Sequence, residues 1–334
     1  MPVTPASPIQ ADYAYSVEKQ AAWGTAIDTT PIGLPSTDFM IGRDPGNITI
    51  PRHDGTRGTS ESKAYNDSAL KIPTCKFSMP ATPQLLTYLM PGILQCSTAY
   101  TAASDVWTMF TQQRAALPMP KATNEGYFFT LTARSPVAST SKQLKDAIMT
   151  SCKLSIAPDA HDGVLWMDTE WIGSTWTELA NPSGTITQAS LASLYKWVDL
   201  DAFTLGGQSM LASLVSAEFD ITAGAHFKND VPTGEVSFPE WKVMGKFVVV
   251  PNSATDALMT VCHTAAVSTG VLTELVWGDG TPSSAGEAEL STFHRFLMAD
   301  PPERNTDALT FTTEGLVGGA GEYPFQIVHH YAAA

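Results

Sequence analysis

The chain has 334 residues, of which 43% are apolar and 16% charged, and its formal net charge is −14. This length allows one large β domain or two smaller ones, while the acidic balance argues against specific nucleic-acid recognition, which requires a basic face. Ordinary soluble domains are roughly 25% charged. The low charged fraction therefore favours a protein whose surface is partly covered by copies of itself over a β protein that has no partner.

The N-terminal residues 1–15 carry three prolines and no hydrophobic periodicity, which predicts an extended arm. Residues 40–73 combine glycine with charges of both signs over a length that is unusual for a loop inside a domain. This composition predicts a long, flexible hairpin that becomes ordered against a partner. The basic residues of this charged loop are Arg43, Arg52, Arg57, Lys63 and Lys71.

One to three short helices are expected. Thr82 provides an N-cap and Pro83 the first helical position, and the Pro-Gly pair that begins at Pro91 is expected to end this helix. Apolar spacing predicts further helices at residues 187–196 and 254–264.

Most other periodic segments alternate apolar and polar residues with a period of two, which predicts strands. The clearest is 214–222 (LVSAEFDIT). One packed face and one wet face are typical of antiparallel sheets, so the fold class is predicted as mainly β, or β-rich α+β. Two strand–turn–strand units, at 149–173 and 214–245, share a plan that gives weak support to an internal duplication. Strands are predicted at residues 127–134, 150–156, 164–171, 214–222, 243–250, 272–277, 293–298, 309–313 and 324–331.

No motif for enzymatic chemistry is found in the sequence. A phosphate-binding loop, a dinucleotide fingerprint and a nucleophile elbow are all missing, and the histidines and four cysteines lack metal-ligand spacing. We therefore expect no enzyme activity, no cofactor and no metal. With neither a signal-peptide n-region nor an uninterrupted apolar span, we also expect cytoplasmic folding and no membrane.

Four acidic residues stand out by their placement on two predicted strands. Asp168 and Glu170 share one face of the strand at 164–171, and Glu218 and Asp220 share the polar face of the strand at 214–222. Two interpretations remain open: a solvated outer face, or a face that lines an enclosed, negatively charged channel.

Several segments, taken in order, resemble the tail tube proteins (major tail proteins) of tailed bacteriophages. Residues 16–25 (SVEKQAAWGT) resemble the N-terminal start of one branch of that family, and 31–40 (PIGLPSTDFM), the charged loop and the Thr82 helix follow in the family's order. Residues 214–250 resemble its strand–loop–strand unit, with Gly245 at a turn, and 308–325 resemble its closing strands. The resemblance covers most of the chain and rests on order and spacing.

The resemblance implies an antiparallel β-sandwich at residues 16–334, with an inserted outer region within 95–210. Subunits would close into rings, usually hexameric, that stack into the tail tube of the virion after synthesis in the bacterial cytoplasm. A trimeric ring of duplicated subunits stays open.

The four acids would then line the lumen, which DNA crosses as non-specific cargo. The five basic residues of the charged loop, together with the arm, would make the ring-to-ring contacts. The other partners implied are the tape measure, the terminator, and the baseplate or tip proteins.

Two alternatives come from other classes of protein. One is another virion β protein: a tail terminator, a head decoration protein, or the tube of a phage-derived injection device. The other is a carbohydrate-binding β-sandwich that uses some of the eight tryptophans as stacking platforms. Trp166 and Trp171 fall on opposite faces of one predicted strand, which favours packing over a sugar platform.

Overall fold

A computed structural model describes the protein at residues 13–36, 40–42, 47–51, 62–66, 72–94, 99–101, 105–111, 128–136, 140–180, 182–227, 236–237, 242–265, 270–278, 282–297, 304–305, 308–319 and 322–332. The helices are α1 (Pro83–Leu94) and α2 (Ser253–Ala265), with single 3₁₀ turns at His161–Gly163, Trp197–Asp199 and Leu211–Ser213. The strands are β1 (Ala14–Lys19), β2 (Ile32–Gly33), β3 (Met40–Gly42), β4 (Asn47–Pro51), β5 (Ser62–Asn66), β6 (Thr74–Pro80), β7 (Ala99–Thr101), β8 (Val106–Phe110), β9 (Phe129–Arg134), β10 (Ser141–Ile156), β11 (Trp166–Ile172), β12 (Thr175–Ala180), β13 (Thr187–Gln188), β14 (Leu200–Leu205), β15 (Gln208–Ser209), β16 (Leu214–Thr222), β17 (His226–Phe227), β18 (Val236–Ser237), β19 (Lys242–Val249), β20 (Val271–Trp277), β21 (Ala288–Phe296), β22 (Arg304–Asn305), β23 (Ala308–Gly315) and β24 (Gln326–His330).

The mainly β class predicted from alternation is confirmed. Each of the nine predicted strand segments falls on a strand; β16 has the predicted bounds, and the other eight differ at one end or both. Twenty of the strands in the described residues join into one continuous sheet, and the pairings seen there are antiparallel except for the short β2–β13 contact.

The sheet rolls around a single apolar core. Phe203 of β14 and Phe247 of β19 have ring centroids 5.8 Å apart, although β20, β21 and β23 separate these two strands along the sheet. The two layers expected of a sandwich are therefore opposite walls of one rolled sheet. Burial of the facing apolar side chains supplies the main driving force for this closure.

The long strand β10 connects two parts of the sheet. Its first half pairs with β9 and β12, and its second half pairs with β11 and β16. β10 and β11 both fall within residues 95–210, where an inserted outer region was expected, and both belong to the main sheet.

The charged segment at 40–73, for which a long hairpin was predicted, contains three strands among its described residues. β3 pairs with β6, and β4 and β5 form a separate antiparallel hairpin in which Lys63 lies opposite Ile50. The other four candidate ring-to-ring residues, Arg43, Arg52, Arg57 and Lys71, lie outside the described residues. So do residues 1–12 of the predicted arm, whereas Ala14 and Tyr15 already belong to β1.

Helix α1 begins as predicted, with the Leu85 amide donating to Oγ1 of Thr82 at 3.2 Å. It does not end at Pro91 but continues to Leu94, because Ile93 and Leu94 are fully buried. Burial of two such side chains is worth about 1.5–3 kcal/mol each, which offsets a cost of about 3 kcal/mol for a proline inside a helix.

The helix predicted at 254–264 is confirmed as α2. The helix predicted at 187–196 is wrong: the segment holds β13 and turns, and Ser193 adopts a left-handed φ of 60°. Leu191, which was expected on the apolar side, is 51% exposed. Without a buried apolar face, helical propensity alone does not stabilise so short a segment.

Candidate functional site

The candidate site is one broad face of the main sheet. Six strands lie side by side in the order β6, β11, β10, β16, β19 and β23. Side chains alternate along each strand, and the core-facing set, which includes Phe77, Trp171, Phe219 and Phe247, is buried. The opposite set on these strands, with β10 taken from Ser151 to Ile156 where it pairs with β16, forms together with the β21 segment that pairs with β23 what we call the polar face.

The polar face brings together the four acids that the sequence singled out. On adjacent strands, Lys153 lies opposite both Asp168 and Asp220, and its Nζ lies 2.8 Å from Oε2 of Glu218. Cross-strand neighbours of this kind lie about 5 Å apart at Cβ. Three of the four acids therefore surround a lysine that the sequence analysis did not connect with them.

The remaining charges of this face also occur in cross-strand pairs. Glu170 lies opposite Lys76 and forms a salt bridge with it. Arg295 lies opposite Glu314, with Nη2 at 2.7 Å from Oε2. These pairs place positive and negative side chains alternately across the strands.

The formal charges on the polar face cancel, so the face that holds the four acids is not itself acidic. Among the described residues, five acids face five bases, so the formal sum is zero, whereas the whole chain carries −14. The acidic excess of the protein therefore resides elsewhere in the chain. The acids of the face are Asp168, Glu170, Glu218, Asp220 and Glu314, and its bases are Lys76, Lys153, Lys242, Lys246 and Arg295.

Beyond the polar face, the sheet presents acids on adjacent strands. Glu274 of β20 and Glu289 of β21 occupy nearby outward positions, with Glu289 opposite Val276 and Glu274 opposite Ser291. Partial burial, and secondarily the charge of Glu274, raise the pKa of Glu289. The like charges of Glu274 and Glu289 therefore repel each other on β20 and β21. On the polar face, by contrast, each acid has a basic neighbour.

A depression of about 240 Å³ lies on the polar face. It is smaller than the 300–1,000 Å³ of ordinary ligand pockets, and its lining is charged, whereas such pockets are mostly apolar. Among the described residues, no group of three or more His, Cys, Asp or Glu side chains could hold a metal ion. The depression is lined by Lys76, Phe77, Ser78, Ser151, Lys153, Asp168, Thr169, Glu170 and Asp220.

A second depression, of about 410 Å³, contains carboxylates that serve local turns. Asp201 accepts a hydrogen bond from the Gly278 amide, and Glu287 accepts from the amides of Ser283 and Ser284. These amides lower the pKa of Glu287. The carboxylates thus satisfy backbone donors at the turns, which accounts for their placement without a ligand.

The tryptophans near β11 do not form one platform for a sugar. Trp171 is 1% exposed and packs against Phe77 and Phe129, with ring centroids 5.8 and 5.4 Å apart. Trp166 lies on the outward side and stacks on His161 at 4.1 Å. The two indoles occupy opposite faces of the strand, as the alternation indicated.

A buried carboxylate that sequence reasoning missed holds residues of the N-terminal segment 16–25. Asp146 is 1% exposed, and its Oδ1 accepts hydrogen bonds from Nε2 of Gln20 and the amide of Gly24, both at 2.7 Å. Ser174 donates to the other carboxylate oxygen. Residues of this N-terminal motif therefore have a structural role in anchoring the chain to β10.

Two buried histidines support the wall formed by β21 and β24. Nε2 of His294 lies 2.7 Å from Oγ1 of Thr273, and Nε2 of His329 lies 2.7 Å from Oγ1 of Thr87. Because Thr87 donates its hydroxyl proton to the carbonyl of Pro83, the His329 Nε2–H must act as donor. Burial lowers the pKa of His294 to about 4 and that of His329 to about 3, so both are neutral at neutral pH.

No protein-family model matches this chain, and no curated protein matches it. Neither of the two helices in the described part of the chain is long and apolar enough to cross a membrane.

Proposed function

We propose that this chain is a structural virion protein that polymerises into stacked rings and forms the tail tube of a tailed bacteriophage. The observation that carries the proposal is the polar face: six adjacent antiparallel strands with a packed inner side and a charge-balanced outer side. In this proposal the face lines the conduit through which the genome passes.

The chemistry of this face suits a lining better than a catalytic or binding site. Its charged groups already pair with one another across the strands, so they offer no convergent set of polar groups to a small ligand. Short polar side chains such as Ser78, Ser151 and Thr222 lie between the pairs. A regular, shallow surface of this kind can guide a large solute without specific recognition.

Repetition of the chain around a ring also accounts for its low charged fraction, because the sides of each subunit would be covered by its neighbours. Ring closure requires two different surfaces on each subunit, one on each side. The β4–β5 hairpin and the N-terminal arm are the proposed contacts between successive rings. The partners proposed are further copies of the chain, the other tail proteins and transiting DNA, and the location is the phage tail.

Negative-stain electron microscopy of the purified protein at high concentration, together with its mass in solution, tests this proposal. We expect hollow rings or stacked tubes, and a mass that is a multiple of the subunit mass. Stacks of indefinite length would separate the tail tube from a terminator or a decoration protein. A stable compact dimer with no ring-shaped particles would contradict the proposal.

A further inference from the structure

We propose that the acids of the polar face neutralise its lysines and thereby keep double-stranded DNA from binding to this face. The inference rests on the proposed function, because DNA is the solute that the face would meet. It differs from the expected acidic lining, since the acids act by compensating nearby cations and not by giving the face a net negative charge.

The geometry assigns a compensating acid to each central lysine. Lys153 lies between Asp168 and Asp220 in register, and also forms the 2.8 Å ion pair with Glu218. Lys76 pairs with Glu170 on the neighbouring strand.

One acid also serves a second lysine. Glu218 lies opposite Lys246 of β19 as well as close to Lys153. All four acids singled out by the sequence therefore have a lysine as a cross-strand neighbour or ion-pair partner.

These ion pairs add too little to the stability of the fold to explain why they are present. The side chains of Lys76 and Glu170 are 61% and 49% exposed, and those of Lys153 and Glu218 are 40% and 32% exposed. Ion pairs with this much solvent contact contribute about 0–1 kcal/mol. Their larger effect is on the electrostatic potential that the face presents to an approaching charged molecule.

The same lysines without their acids would form a DNA-binding surface. Cations that contact phosphates release condensed counterions, and this entropy gain drives non-specific binding. Lys76, Lys153 and Lys246 lie within one face of adjacent strands, where a duplex could contact several of them together. Carboxylates beside the ammonium groups remove that gain, because a phosphate would have to displace them.

The test compares two variants of equal net charge. The face variant carries Asp168→Asn, Glu170→Gln, Glu218→Gln and Asp220→Asn, which changes the net charge from −14 to −10. The control variant removes four exposed acids elsewhere and reaches the same −10. Its substitutions are Asp159→Asn, Asp162→Asn, Asp199→Asn and Asp256→Asn.

Binding of a fluorescent DNA duplex is measured by anisotropy at low salt and over a salt series. We expect the face variant to bind at least tenfold more tightly than both the control variant and the unmodified chain. If Lys76, Lys153 and Lys246 each contact a phosphate, the logarithm of the binding constant should fall with the logarithm of salt concentration with a slope of about −2.7. Circular dichroism checks that both variants fold, and the double variant Glu170→Gln, Glu218→Gln replaces the fourfold one if it does not.

Equal binding by the face and control variants would overturn the inference, as would unmodified chain that binds DNA as tightly as the face variant. The assay needs no assembled tube. If the face variant gains binding while microscopy shows no rings, charge compensation stands and the tail tube proposal fails.

Discussion

Single buried residues fix the N-terminal part of the chain against the sheet. Asp146 binds Gln20 and Gly24, which lie 126 and 122 residues away in sequence, and it adopts a left-handed φ of 53°. Its role could not be predicted from the sequence, because an acid within a strand normally indicates a solvated position. Only the fold shows that three donors converge on this carboxylate and replace its hydration.

Replacement of Asp146 by Asn should lower the free energy of unfolding by about 1–3 kcal/mol. Asparagine lacks the charge that strengthens all three hydrogen bonds, and its amide nitrogen would either take away the acceptor of Ser174 or face the N–H donors of Gln20 and Gly24. Urea denaturation measures the change, with exposed Asp159→Asn as the matched control. Equal unfolding midpoints for the two variants would show that the buried carboxylate does not anchor this segment.

Acid should destabilise the protein through His294 and His329. Their folded-state pKa values, about 4 and about 3, lie below the ordinary value of 6.5, so the unfolded state binds more protons between these limits. Their contribution to the free energy of unfolding is fully present above pH 6.5 and is lost as the pH falls towards 4. At pH 5 the loss is roughly 2 kcal/mol for each histidine. Urea denaturation from pH 7.5 to 5 measures this loss.

The variant His329→Gln provides the control for this pH dependence. Glutamine can still donate a hydrogen bond towards Thr87, but it does not titrate, so about half of the loss should disappear. A pH dependence that is identical in the variant and the unmodified chain would exclude His329 as a source.

At the scale of elements, period-two alternation located nine strand segments, but it missed others such as β1, β6 and β14 and did not set every boundary. Strand β16 has the predicted bounds, and its apolar and polar residues alternate from Val215 to Thr222, after a register shift near its start. Helix α1 extends beyond Pro91, and the segment at 187–196 forms turns, because tertiary burial decided both cases. Local propensity is a weak guide where packing opposes it.

Gly245 was expected at a turn, but it lies inside β19, where a side chain cannot fit. A Cβ atom at this position would meet Oγ1 of Thr313 at 2.4 Å and the ring of Phe247 at 2.7 Å. Close approach of these neighbours therefore explains the glycine.

Replacement of Gly245 by Ala should destabilise the protein by about 1–3 kcal/mol, the usual cost of overpacking a core. Thermal unfolding measures the effect, with Val248→Ala on the outward side of the same strand as the control. A melting temperature equal to that of the unmodified chain would show that Thr313 and Phe247 can move to admit a methyl group, and would contradict the packing explanation for Gly245.

At the scale of the whole molecule, the order of the strands determines the charge of the polar face. The four acids could be predicted to share faces, because each pair lies two residues apart on one strand. The lysines between them come from β6, β10 and β19, and their placement depends on long-range strand pairing. Sequence pattern alone carries no information about that order, so an acidic face was expected where a balanced one is found.

The most direct test of the central claim asks whether the polar face becomes enclosed when the protein assembles. Thr222→Cys introduces a thiol on this face, and Ala257→Cys introduces one on the exposed side of α2. Assembled rings are reacted with a small maleimide and with a polymer-linked maleimide too large to enter the lumen, and labelling is measured above that of the unmodified chain. We expect Cys at 257 to react with both reagents and Cys at 222 to react only with the small one. Equal reaction of both positions with the large reagent would place the polar face on the outside of the assembly and contradict its role as the lining of a tube.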